Sequence, residues 1–130
     1  MEDNVVDIIS KSSFTLLDGI FVYAKVASIP KGNHFMISQD SEEITVVTIQ
    51  EKLAQLDLIE RNKDDYRLIS LNVSIPFYAV GFLAKVSDAI AEEGMNILIV
   101  STYSKDYILV KADKIDSATI ALKNLGFKQS

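Results

Sequence analysis

The chain has 130 residues, 48% hydrophobic and 24% charged, which is enough for one compact domain or for two very small ones that share a core. Its formal net charge of −5 argues against a nucleic-acid partner, because affinity for phosphate backbones comes largely from clustered Lys and Arg. The sequence contains no cysteine, which excludes disulfides and thiolate-bound metals and fits a reducing compartment.

The first eleven residues, MEDNVVDIISK, are acidic and lack a signal-peptide pattern. No apolar run approaches the roughly 18–20 residues that span a bilayer. We therefore expect a soluble, cytoplasmic protein with no membrane partner.

The first half of the chain is predicted to be rich in strands and poor in helices. The turn dipeptide Asp18-Gly19 separates two strands, and Pro30 and Gly32 predict a loop. The sequence QDSEE joins the two strands of a hairpin. The most hydrophilic run, 62–65, is the best candidate boundary. The predicted segments are strands 14–17, 20–26, 35–38 and 44–49, and one or two helical turns at 51–56.

The second half predicts the order β-α-β-β-α. Val80, Leu83 and Ile90 recur at helical spacing, and Gly94 and Gly126 stand where a left-handed residue ends a helix. We expect Asp113 or Asp116 to cap the second helix. The predicted segments are strands 66–73, 96–101 and 106–111, and helices 79–93 and 115–125.

This order is a ferredoxin-like unit without its final strand, because only FKQS follows Gly126 and is too short for a good strand. We expect strand 14–17 to complete the sheet, since an open edge invites aggregation. The predicted fold class is α+β. Two ferredoxin-like (βαββαβ) units pack together, the first with a reduced helix, and each antiparallel sheet has its helices on one face. The predicted domains are a degenerate unit at 1–63 and a second unit at 64–130.

The sequence offers little for catalysis or for a metal. His34 is the only histidine, so no histidine pair exists, and its apolar neighbours predict a structural role. There is no Gly-rich phosphate loop and no GxSxG motif. Runs such as Glu42-Glu43 and Glu92-Glu93 are typical of solvated surfaces. We predict no enzyme activity, no catalytic residue, no metal site and no cofactor.

Two features suggest a small polar ligand. The polar patch STYSKDY, between two apolar runs, contains no Gly, Pro or Asn to make a tight turn, so it is either a solvated hairpin or a ligand contact. Ser101 and Thr102 can exchange hydrogen bonds with a ligand, and Asp106 can hold an α-ammonium. Gly81 lies at a helix N-terminus, where backbone N–H groups suit a carboxylate, although it could equally relieve helix–sheet crowding.

Residues 66–127 resemble the ACT domain of small tandem-ACT bacterial and archaeal proteins. That family is related to the cytosolic arginine sensors and to the regulatory domains of aspartate kinases. The matching motifs are the Val80-Gly81 helix start, AEEGMNILIVSTY and DYILVK, and FVYAKVASIP with HFMISQDSEEITVV is similar to the family's first half. The resemblance covers about residues 12–127.

The resemblance implies a non-catalytic regulatory module that binds a free amino acid and changes the conformation or association of an unidentified partner protein. By position, the ligand contacts would be Val80, Gly81, Phe82, Ser101, Thr102 and Asp106. The arginine sensors carry an acidic residue one turn into the helix where this chain has Leu83, Ala84 and Lys85, which argues against arginine. The alternative is an interaction or dimerisation module without a ligand. We also expect a homodimer, since ACT-like sheets tend to pair.

Overall fold

The computed structural model describes residues 5–73 and 81–130. The first residues of the predicted helix 79–93, including Val80, lie outside the described residues. The elements are α1 Val5–Ser10, β1 Ser13–Leu16, β2 Phe21–Val26, β3 Met36–Gln39, β4 Ile44–Ile49, a 3-10 helix Gln50–Gln55, β5 Leu58–Arg61, β6 Tyr66–Asn72, α2 Phe82–Glu92, β7 Leu98–Ser101, β8 Asp106–Lys111, a 3-10 helix Ala112–Lys114, α3 Ile115–Leu125 and β9 Lys128–Gln129.

The chain forms two compact units. One combines the described residues of Met1–Leu17 with those of Leu68–Ser130, and the other is Asp18–Arg67. The first unit is therefore discontinuous in sequence. The division into ACT-like repeats at 1–63 and 64–130 stays a prediction.

The unit Asp18–Arg67 has the strand order β3-β4-β2-β5, and every neighbouring pair is antiparallel. This is the ferredoxin-like order, and a loop at 27–35 replaces the first helix, as the sequence predicts. The second helix is reduced to the 3-10 helix Gln50–Gln55. Its Leu53 and the following Leu56 pack on Ala24, Val26 and Val46, on one face of the sheet.

The other unit has the strand order β7-β8-β6-β1-β9. Strand β1 pairs antiparallel with β6, with Phe14 opposite Leu71, and so fills the fourth position of the ferredoxin-like sheet. The prediction that strand 14–17 completes this sheet is confirmed. The expectation that no strand follows Gly126 was wrong, because Lys128 and Gln129 pair with β1 in parallel.

Helices α2 and α3 cover one face of this sheet. Val86 and Ile90 of α2 and Leu122 of α3 are fully buried in a cluster with Ile69 and Ile108 from the strands. Phe82 meets Phe127 edge-on, with ring centroids 5.9 Å apart. The cluster gives both helices their stability, because each is only 11 residues long and would be marginal alone. The α+β class and the helices on one face are confirmed.

Two details of the helices differ from expectation. Neither Asp113 nor Asp116 caps α3, because the residue before the helix is Lys114 and no side chain bonds the first turn. A 3-10 turn, Ala112–Lys114, leads into the helix instead. Helix α1 was not predicted, and its Ile8 and Ile9 are buried.

Candidate functional site

The STYSKDY patch is the turn of the β7–β8 hairpin. Ser101 and Asp106 stand opposite each other as the last pair of the ladder. The Thr102 backbone N–H donates to the Lys105 carbonyl at 2.8 Å, and the Thr102 hydroxyl donates to the same carbonyl at 3.2 Å. The hydroxyl thus helps to close a turn that contains no Gly, Pro or Asn.

Ser101 and Asp106 are joined by a short hydrogen bond across the hairpin. The Ser101 hydroxyl donates to Oδ1 of Asp106 at 2.5 Å. Asp106 is half-buried and Ser101 is exposed. A carboxylate has about four lone-pair sites, so this bond fixes its orientation and leaves acceptor capacity for a second donor.

The middle of the turn faces solvent. Ser104 and Lys105 are exposed, and Tyr103 is 92% exposed. The polar atoms that the turn holds in defined geometry therefore belong to Ser101, Thr102 and Asp106.

Gly81 and Phe82 form the start of α2. Gly81 has a φ of 81° and no side chain caps the helix. A Cβ built at Gly81 meets no described atom within 4 Å, so its left-handed backbone rather than crowding favours glycine here. Phe82 is 3% exposed, so its side chain belongs to the core and is not available to a ligand.

The start of α2 and the hairpin turn lie toward the same end of this unit. At the other end of α2, Gly94 and Met95 line a cavity of about 90 Å³ together with Lys111 and Lys114, at and just beyond the end of β8. Since α2 packs on the strands along its length, its first turn lies toward the end of β8 that begins with Asp106. Of the predicted contacts, the hairpin brings Ser101, Thr102 and Asp106 together, and Gly81 and Phe82 stand on a separate element. Val80 lies outside the described residues.

The histidine has a structural role, as predicted. His34 Nε2 lies 2.8 Å from the Lys31 carbonyl, which can only accept, so this nitrogen donates. Nδ1 lies 2.9 Å from the hydroxyl of buried Thr48 and accepts from it in the tautomer whose proton is on Nε2. The ring therefore ties the loop that replaces the first helix to β4.

No group of three or more His, Cys, Asp or Glu residues that could hold a metal ion occurs within 5–73 and 81–130. None of the helices in this part of the chain has the length and apolar character required to cross a membrane.

Comparison with known structures gives several close likenesses. A Vibrio cholerae protein of unknown function, described as a possible transport protein, has a TM-score of 0.78 and 24% identity over 94% of this chain and 95% of that chain. An Agrobacterium tumefaciens protein has a TM-score of 0.76 and 20% identity over 92% of each chain. The ligand-free regulatory subunit of aspartate kinase from Thermus thermophilus has a TM-score of 0.62 and 16% identity over 86% of this chain and 95% of that chain. At such identities, these likenesses establish the fold.

The sequence itself carries the family assignment. A search of curated proteins gave no match. The family model described as the ACT domain matches residues 61–124, which contain β6, α2, β7, β8 and almost all of α3. ACT domains are regulatory and typically bind amino acids. Residues 61–124, just under half of the chain, match the ACT domain family.

Proposed function

We propose that this protein is a non-catalytic regulatory module that binds a free amino acid between the β7–β8 hairpin turn and the start of α2. The α-ammonium pairs with Asp106, and Ser101 and Thr102 add hydrogen bonds. The backbone N–H groups at Gly81 and Phe82 receive the α-carboxylate, because a helix N-terminus carries unpaired donors and the positive end of the helix dipole. Val80 belongs to the proposed site by its position in the ACT motif.

The observation that carries this proposal is the oriented carboxylate of Asp106. Its hydrogen bond to Ser101 holds it at the end of the ladder, half-buried, on the side toward which the uncapped helix begins. An oriented acceptor at the end of the unit where α2 begins, and the helix's first N–H groups without intrahelical partners, suit the two charges of an amino acid, which are separated by a single carbon atom. Ligand binding would then couple the hairpin to α2 and so change the surface that a partner protein recognises.

A thermal-shift screen against the twenty amino acids tests the proposal. A ligand at 100 times its Kd stabilises the folded state by about 2.7 kcal/mol, which raises Tm by several degrees in a chain of this size. A shift with one or a few amino acids supports the proposal. The absence of any shift at millimolar concentrations contradicts it.

The alternative function is an interaction module without a ligand. One observation favours it: Asp106 already accepts a hydrogen bond from Ser101 within the chain, so the hairpin is satisfied without an added molecule. The fully exposed Tyr103 at the turn is the kind of aromatic side chain that anchors protein interfaces. If no amino acid raises Tm in the thermal-shift screen and the protein forms a stable complex with another protein, this alternative is established.

We further propose a homodimer. Strand β7 lies at the edge of its sheet and leaves Ile99 40% exposed, and symmetric pairing would cover such an edge. Light scattering at tens of micromolar should give about twice the chain mass of 14.4 kDa. A species of the monomer mass alone would contradict the dimer.

A further inference from the structure

A cleft of about 320 Å³ lies on the unit Asp18–Arg67, on the sheet face opposite the 3-10 helix. In the strand register, Lys25 of central β2 stands between Thr45 of β4 and Glu60 of β5. Side chains at directly paired positions lie side by side on one face, so a hydroxyl, an ammonium and a carboxylate form a row across the sheet. Glu43 and Arg61 complete the charged lining.

The floor of the cleft is irregular where the row crosses β2. The pairing of β2 with β5 shifts register between Lys25 and Val26. A shift of this kind bends the strand and re-aims the neighbouring side chain, and such irregularities are frequent next to binding sites. The irregularity coincides with Lys25, the only lysine among the described residues that line the cleft.

The central charges of the cleft are weakly engaged. The Nζ of Lys25 lies 3.9 Å from Oε1 of Glu43, beyond hydrogen-bond distance, and the two side chains are 46% and 48% exposed. An exposed pair at this distance contributes little to stability. The side chain of Glu60, unlike its backbone in the β2–β5 ladder, makes no hydrogen bond or ion pair with residues 5–73 or 81–130. One ammonium and two carboxylates are thus available to a ligand.

Both rims of the cleft are held by hydrogen bonds. Oδ1 of Asp40 accepts the backbone N–H groups of Glu42 and Glu43 at 2.8 and 2.9 Å, which fixes the turn that carries Glu43. These two N–H groups hold the pKa of Asp40 below its ordinary value.

On the other side, Nη2 of Arg61 bonds Asp65 Oδ1 at 2.6 Å, and Asn62 donates its N–H to the Tyr23 carbonyl at 2.7 Å. Positions next to Glu60 are therefore also fixed. Since the chain has already ordered both rims, a ligand would not have to order them.

The charges define the ligand. Arg61 is neutralised by Asp65, so Lys25, Glu43 and Glu60 leave a net charge of −1 in the cleft. We propose that this cleft is a second binding site, for a small molecule with one carboxylate and one or two ammonium groups, and most favourably an amino acid with a basic side chain. The carboxylate pairs with Lys25 and Thr45, and the ammonium groups pair with Glu43 and Glu60.

This site is separate from the hairpin site, so the two can be tested independently on the full chain. The experiment titrates ¹⁵N-labelled protein with L-lysine to about 10 mM, which gives roughly 90% saturation of a site with a Kd of about 1 mM. The amide signals of Thr45 and Glu60 report on the cleft, and those of residues 101–106 report on the hairpin. L-Glutamate serves as the probe with the opposite net charge.

We expect saturable L-lysine shifts at Thr45 and Glu60 and much smaller ones with L-glutamate. Glu60→Gln should weaken L-lysine binding about fivefold. Glu92→Gln, the same change at an exposed position of α2, should have no effect. Lys25→Met, which keeps the side-chain length, gives a second variant if Glu60→Gln disturbs the fold.

Three results would overturn the cleft site. They are no saturable shift at Thr45 and Glu60, equal shifts with L-lysine and L-glutamate, and equal affinity in Glu60→Gln and wild type. Saturable shifts confined to residues 101–106 would reject the cleft and support the hairpin site. Shifts confined to the cleft would support this inference and count against the hairpin for this probe.

Discussion

Replacing Asp106 with Asn tests the proposed hairpin site most directly. Asn keeps a carbonyl oxygen that can accept the hydrogen bond from the Ser101 hydroxyl, so the hairpin keeps its structure. The free energy of unfolding should therefore change by less than about 0.5 kcal/mol. The substitution removes the negative charge that pairs with the α-ammonium. The expected effect is therefore on binding and not on folding.

The size of the effect follows from the burial of the carboxylate. Removing one partner of a buried charge pair typically costs about 2–5 kcal/mol of binding. Because Asp106 is only half-buried, we expect about 2 kcal/mol, which is a roughly 30-fold rise in Kd. Lys105→Ala should leave binding nearly unchanged, since Lys105 is exposed in the turn.

Calorimetry and thermal shift with the amino acid identified by the screen measure both quantities. Asp113→Asn is the matched control, because it makes the same chemical change at an exposed position beyond the far end of β8. Equal affinities of wild type and Asp106→Asn would show that the hairpin is only a solvated turn. A large fall in the apo Tm would show a structural role for the carboxylate instead.

Three further predictions concern stability. Phe14→Ala should lower the free energy of unfolding by about 3–5 kcal/mol in urea titrations, because the ring is fully buried, whereas Ile120→Ala, at a 55% exposed position, should change it by less than about 1 kcal/mol. Because the pKa of Asp40 is lowered, its ionised carboxylate stabilises the folded state fully above the unfolded pKa of 3.8, and this stabilisation is lost as pH falls through the folded pKa. Asp40→Asn should abolish this part of the pH dependence of the free energy of unfolding. An unchanged pH dependence would contradict it. His34→Ala should cost about 1–3 kcal/mol at neutral pH, because it leaves the buried Thr48 hydroxyl without this partner; a loss below about 0.5 kcal/mol would rule out the tie.

Elements with a clear apolar period and a clear end were predictable. The bounds of β8 and α3 match the predicted 106–111 and 115–125, since Gly126 ends the second with a φ of 126°. Helix α1 was missed because it is six residues long and depends on buried Ile8 and Ile9. Strand β5 was missed because its apolar residues, Leu58 and Ile59, are exposed beside a hydrophilic run.

The two candidate sites also differ in how far the sequence alone predicts them. Ser101 and Asp106 are five residues apart, so a hairpin register alone brings them together. Lys25, Glu43 and Glu60 come from three segments and meet only because β2 lies between β4 and β5. A strand order of this kind depends on tertiary pairing, which a local sequence pattern does not contain.

The position of β1 affects how the protein is made. Ser13 bonds Asn72, which lies 59 residues further along the chain, so β1 leaves the ribosome well before its partner strand. At about 5–20 residues per second, this interval lasts roughly 3–12 s. The unit Asp18–Arg67 can fold during that time, whereas the apolar strand β1, which contains Phe14, does not yet have its partner β6. A nascent chain stalled before β6 should therefore expose Phe14 to chaperones and proteases, and one extended past Ser130 should shield it.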